Sequence, residues 1–101
     1  MNKNMIRQAQ QLQQKMAKVQ EELESATVEA SSGGGMVKAV VTGKQTIAAI
    51  TIDPQAVDPD DVELLEEMVM AAVNEGLQKA QDLATQKMSA ITGGLNIPGL
   101  G

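Results

Sequence analysis

The first twenty residues carry Lys3, Arg7, Lys15 and Lys18 and not one acid. On an α-helix, which turns by about 100° per residue, Lys3, Arg7, Gln10, Gln14 and Lys18 fall within an arc of about 80°. Lys15 sits to one side of that arc. Long cations reach phosphate oxygens, and glutamine amides can bond phosphates or base edges. A row of this kind can therefore hold a polyanionic backbone. A solvated helix face has the same pattern, so the rest of the chain must decide between the two.

The other 81 residues hold four basic and thirteen acidic side chains, and the whole chain of 101 residues carries a net charge of -5. Overall acidity argues against a protein that coats nucleic acid by bulk charge. The positive charge is instead gathered at one end. The acids gather elsewhere: Asp58, Asp60, Asp61, Glu63, Glu66 and Glu67 cluster at the expected start of the last helix. They read as capping and dipole complementarity.

Composition removes whole classes of chemistry. The sequence has no Cys, His, Trp, Tyr or Phe. It therefore has no disulfide, no thiol nucleophile, no Cys or His metal site and no histidine base. There is no aromatic platform for stacking single-stranded bases. Ser25, Ser31, Ser32 and Ser89 have no visible base partner. Ser32-Gly33-Gly34-Gly35 lacks the Gly-Lys-Ser/Thr ending of a phosphate-binding loop. The chain reads as a non-enzyme that needs no cofactor and no metal. No run approaches the roughly 18 apolar residues of a membrane span, and the N-terminus does not read as a secretory signal. A cytoplasmic protein without a membrane partner is expected.

The elements that position the basic row follow from periodicity. Residues 1 to about 26 lack Gly and Pro and are rich in good helix formers. Met5, Ala9, Leu12, Met16, Val19, Leu23 and Ala26 are spaced alternately by four and three, a heptad seam opposite the cations. Residues 27–31 alternate and are β-prone, and Ser32 to Gly35 read as a flexible connection. Residues 36–42 (MVKAVVT) and 45–52 (QTIAAITI) read as strands of an antiparallel hairpin. Its tight turn is Gly43-Lys44, with Gly43 free to take a positive φ. Strict alternation puts Ile47 opposite Ile50 and Ile52, so both sheet faces look apolar and want cover. Asp58 as N-cap and Pro59 at the first helical position open a last helix that runs to about Thr92. Its stripe is Val62, Leu65, Val69, Val73, Leu77, Ala80, Ala84, Met88 and Ile91, widened by Met68 and Ala72. Gly93-Gly94 stops it.

The fold class is thus α+β, ordered α-β-β-β-α, with a three-stranded antiparallel sheet. A single domain is expected over residues 1–92, followed by a flexible tail, 93–101. The helices would be about 39 and 48 Å long, whereas a compact domain of this size has a radius of gyration of about 13 Å. Helices that long overhang the sheet and carry apolar seams into the overhang. A core of Met, Val, Ile, Leu and Ala also buries less area per residue than one with aromatics. A homodimer meets each of these needs.

Four stretches carry a family resemblance: the opening MNKNMIRQAQQLQQKMAKVQEEL, the central TVEASSGGGMVKAVVTGKQTIAAITID, the helix start VDPDDVELLEEMV and the ending ITGGLNIPGLG. In order, and over essentially the whole chain, they resemble the YbaB/EbfC family of bacterial nucleoid-associated proteins. The resemblance implies a tweezer-like homodimer whose long helices project from a central sheet. It implies binding of double-stranded DNA with limited or variable sequence preference, a cytoplasmic and nucleoid location, and regulatory or architectural roles. It places the DNA contacts on the projecting helices, here Lys3, Arg7, Lys15 and Lys18, with Lys79 and Lys87 of the last helix as further candidates. The helical arc adds Gln10 and Gln14.

A second reading remains open on the sequence. The seam, the overhanging helices and the apolar ending could serve a protein partner in DNA replication or repair, with DNA affinity incidental.

Overall fold

The computed structural model describes residues 2–93. Their order is α1 (Lys3–Ser25), β1 (Thr27–Ser32), β2 (Val37–Thr42), β3 (Ile47–Ile52) and α2 (Val62–Gly93), with single 3-10 turns at Gly33–Gly35 and Pro54–Ala56. The α+β class and its α-β-β-β-α order are as the periodicity predicts. The expected tail lies, from residue 94 on, outside the described residues.

Asn2 caps α1, its side-chain oxygen accepting from the Asn4 amide at 2.9 Å. The three strands form one antiparallel meander in the order β1-β2-β3. The glycines that join β1 to β2 are an ordered turn, not a slack connection. Gly33, Gly34 and Gly35 all take positive φ, between 60° and 93°, a region that L-residues seldom enter. The Ser32 hydroxyl donates to the Met68 carbonyl at 2.5 Å, which ties this turn to α2.

The hairpin turn differs from expectation. Its positive φ falls on Gln45, at 63°, and not on Gly43. The Gln45 amide donates to the Thr42 carbonyl at 2.9 Å, and the Thr42 amide to the Thr46 carbonyl at 2.8 Å. This is a three-residue loop with its last residue left-handed. Gly43 is required for another reason: a Cβ there would stand 2.7 Å from both the Leu23 carbonyl oxygen and Leu23 Cδ2. The end of α1 rests directly on the turn.

Strict alternation also fails in β3. Val40 pairs with Ala49 but Val41 pairs with Ile47, so Ala48 is an extra residue, a bulge. A bulge shifts the register by one and moves later side chains to the other face. Ile47, Ile50 and Ile52 therefore share the face of their partners Val41, Ala39 and Val37. The opposite face holds Thr27, Glu29 and Ser31 beside Thr42, Val40 and Lys38, with Ala49 and Thr51. It is mostly polar and needs no cover, which corrects the expectation of a sheet apolar on both sides.

α2 lies across β1 and β2, and Val37, Ala39 and Ala72 are fully buried between them. Its buried line is Ala72, Gly76 and Ala80, spaced by four. Small residues let helix and sheet approach closely: a Cβ on Gly76 would lie 2.8 Å from Val41 Cγ2. The larger aliphatics Leu65, Val69 and Val73 flank this line half-buried, and Val62 is exposed. The helix also starts later than expected. Asp58 caps a local turn, accepting from the Asp60 amide at 2.9 Å. Asp61 stands at the head of the helix, accepting from the Leu64 amide at 3.3 Å.

Only the C-terminal half of α1 is packed. Val19 and Leu23 are buried, whereas Met5 is 65% exposed. The chain is 70 Å long and 26 Å wide, with a radius of gyration of 19.4 Å. The overhang expected from helix length is present.

Candidate nucleic-acid interface

Lys3, Arg7, Gln10, Gln14, Lys15 and Lys18 are all exposed on α1. The helix holds them because its seam is anchored at one end only. Val19 and Leu23 are clamped by α2 and the hairpin turn, and Lys44 at that turn donates to the Gln20 side chain. The preceding turns project with their polar face open. Among the described residues the ion pairs are Lys79 with Glu75 at 3.7 Å and Lys87 with Glu22 at 3.4 Å. None of the four α1 cations is neutralised by either pair.

α1 and α2 run side by side over part of their length, where Lys87 meets Glu22 at 3.4 Å. Between them lies a cleft of 580 Å³ whose walls include Gln8, Leu12, Lys15 and Val19 on one side and Lys87 and Ile91 on the other. Lys15 thus faces this cleft, apart from the Lys3–Arg7–Lys18 row. Gln10, Gln13, Gln14 and Ala17 line a separate shallow depression on the outer face of α1. Lys79 lies far from this row in role. It reaches across to donate to the Glu29 carbonyl at 3.0 Å. That contact and its pair with Glu75 tie it to the body of the protein, and Lys87 is tied to Glu22. These engagements span 50 and 65 positions of sequence, and no local pattern could have announced them.

The acids at the head of α2 do not build a metal site. Among the described residues no three carboxylates are placed to share an ion. Among the same residues no helix is long and apolar enough to cross a membrane.

A second exposed feature is apolar. Ile47, Ile50 and Ile52 line β3, an edge strand of the sheet, and all are exposed. Beside them on α2 a groove is formed by Leu65, Glu66, Val69, Met70 and Val73. Met70 is 58% exposed. The signal for this surface in the sequence was the alternation in β3, misread because of the bulge.

A projecting helix with its cations exposed is the outline of a DNA-binding module. Over residues 1–95 the sequence matches the model of the YbaB/EbfC DNA-binding family, and the chain belongs to that family. It is 55% identical over 97 residues to a nucleoid-associated protein of Syntrophobacter fumaroxidans, covering 96% of this chain and 88% of that one. It is 57% identical over 97 residues to a nucleoid-associated protein of Thermoanaerobacter pseudethanolicus, covering 96% of this chain and 87% of that one. In fold it is similar to the crystal structure of an uncharacterised protein from Helicobacter pylori. The TM-score is 0.78 at 18% identity, over 91% of this chain and 98% of the other. The family is one of nucleoid-associated DNA-binding proteins, not of enzymes.

Proposed function

We propose that this chain is a homodimeric nucleoid protein of the cytoplasm. It binds duplex DNA through its paired α1 helices with limited sequence preference, and so affects nucleoid organisation and gene expression. The observation that carries this reading is the state of the α1 cations. Lys3, Arg7, Lys15 and Lys18 stand exposed on a projecting helix without an acid among the first twenty residues. The α2 cations Lys79 and Lys87 are bridged to acids. Unpaired cations on an overhanging arm reach phosphates without an internal ion pair having to break first.

The dimer supplies two such arms. Its joining surface is the strip of Ile47, Ile50 and Ile52 on β3 with Leu65, Val69 and Met70 on α2. An edge strand with apolar neighbours is a template for pairing, and a symmetric pair would cover both copies of the strip. Support for duplex DNA over single strands comes from the absence of aromatic residues, which removes base stacking.

The test is a titration across salt with random duplex. If the dimer neutralises about eight phosphates, the logarithm of affinity falls against the logarithm of salt with a slope of about -7. Replacing Lys3, Arg7, Lys15 and Lys18 together by Gln should flatten that slope and weaken binding to every sequence alike. A folded variant that binds as tightly as the parent would refute the assignment.

A further inference from the structure

The depression on the outer face of α1 is lined by Gln10, Gln13, Gln14 and Ala17, three amides and one methyl group. On the helix these four occupy an arc of about 100° that overlaps one side of the Lys3–Arg7–Lys18 row, with Lys3 between Gln10 and Gln14. Gln10, Gln13, Gln14 and Ala17 are all exposed. By contrast Gln20 is engaged by Lys44, and Gln78 donates to Asp82 at 3.0 Å.

The chemistry of this patch matches A·T pairs and not G·C pairs. In the major groove an A·T pair presents adenine N6 and N7 beside the thymine methyl group. A glutamine amide donates to N7 and accepts from N6, and a small apolar side chain packs on the thymine methyl. A G·C pair offers two guanine acceptors, which call for Arg or Lys. Arg7 and Lys18 lie to one side of the patch, where a helix lying in the groove meets phosphates. An α-helix of about 10–12 Å diameter with side chains fits a major groove of about 12 Å.

From this juxtaposition we infer that the Gln10–Gln14–Ala17 patch reads A·T pairs in the major groove. It gives the protein a compositional bias while the cation row supplies affinity. The inference rests on the proposed role of α1 in binding duplex DNA, and adds a reading function to one stretch of it. With so few base-contacting groups the outcome is a preference for A·T-rich duplex and not a defined site.

The experiment compares the full-length protein on three duplexes of equal length at fixed salt: A·T-rich, G·C-rich, and A·T-rich with 7-deazaadenine in place of adenine. The last removes N7 alone and leaves the minor groove and the phosphates intact. The parent should prefer the A·T-rich duplex by about five-fold or more, the lower end for one good bidentate pair, and lose that preference on 7-deazaadenine. The double variant Gln10→Ala, Gln14→Ala should bind both natural duplexes equally, with an unchanged salt slope. The control is Gln8→Ala, Gln11→Ala on the cleft-facing side of the same helix, which should keep the parent's preference. Equal binding by the parent, a preference that survives 7-deazaadenine, or a preference that the control pair abolishes equally overturns the inference. The first two of these leave the cation row intact as a DNA grip. Absence of salt-dependent binding altogether overturns both it and the reading on which it rests.

Discussion

Ile50 tests the dimer and, through it, the two-armed grip. It sits in mid-β3 opposite Ala39 and is 43% exposed. It lies outside the buried set of Val37, Ala39 and Ala72, so its replacement should leave the subunit folded. Full burial of an isoleucine side chain is worth about 1.5–3 kcal/mol. Covering the exposed share then contributes roughly 0.6–1.3 kcal/mol per copy, and about twice that for a symmetric pair. Ile50→Ala should therefore raise the dimer dissociation constant by up to roughly seven- to seventy-fold, since each 1.4 kcal/mol is a factor of ten. Ile50→Asp should do far more. It brings two carboxylates into an apolar contact, each costing several kcal/mol to desolvate, which corresponds to at least about a thousand-fold. The assay is sedimentation over a concentration series, with circular dichroism to show that the helices persist. The monomeric variant should also show about half the parent's salt slope on DNA. A parent that sediments as a monomer throughout, or an Ile50→Asp variant as dimeric as the parent, refutes the reasoning.

Gly76→Ala should destabilise the fold, although alanine is the better helix former by about 1 kcal/mol. The added Cβ would lie 2.8 Å from Cγ2 of the fully buried Val41, and overpacking of this kind costs about 1–3 kcal/mol. The urea midpoint, compared at equal protein concentration, should fall, and a rise would show that α2 can lift from the sheet freely. Asp61→Ala should cost about 0.5–2 kcal/mol as the loss of a helix cap, with faster amide exchange at Leu64. Asp58→Ala should leave that amide unchanged, because its carboxylate serves Asp60.

The elements were legible because their signals are local. The α1 heptad seam, the β-branched runs and the acids before α2 each report on a few neighbours. The errors arose where one residue or a distant partner decides. Ala48 bulges out of register and carries Ile47 to the other face, so a period of two misassigned the apolar side of β3. In α2 the expected stripe included Ala72 and Ala80 but ran through the long aliphatics and left out Gly76. The buried line is the small one, Ala72, Gly76 and Ala80, because close approach to the sheet selects small side chains. Gly43 was marked as a turn glycine, but what it accommodates is Leu23, twenty residues earlier. The cations of α1 are exposed, but so are Met5 and Met16 of the opposite seam, because nothing within the subunit covers the overhang. That Lys79 and Lys87 are engaged elsewhere depends on Glu29 and Glu22, and required the fold.

The negative net charge does not oppose a DNA grip once the charges are placed. The acidic cluster from Asp58 to Glu67 lies at the head of α2, whereas the last turns of α2 run beside α1 at Gln8 to Glu22. A helix of 32 residues separates these ends by about 48 Å. At physiological ionic strength the Debye length is about 8 Å, so the cluster is screened several times over from Lys3 and Arg7. What phosphates meet at the arm is a local field, positive and unpaired. What they would meet at the sheet end is negative. In the proposed complex, a molecule 70 Å long with its charges divided this way would be oriented as it approaches a duplex. Arms first is favoured and body first is repelled. The acidity that counts against a protein coated in positive charge therefore supports one that grips with a single end.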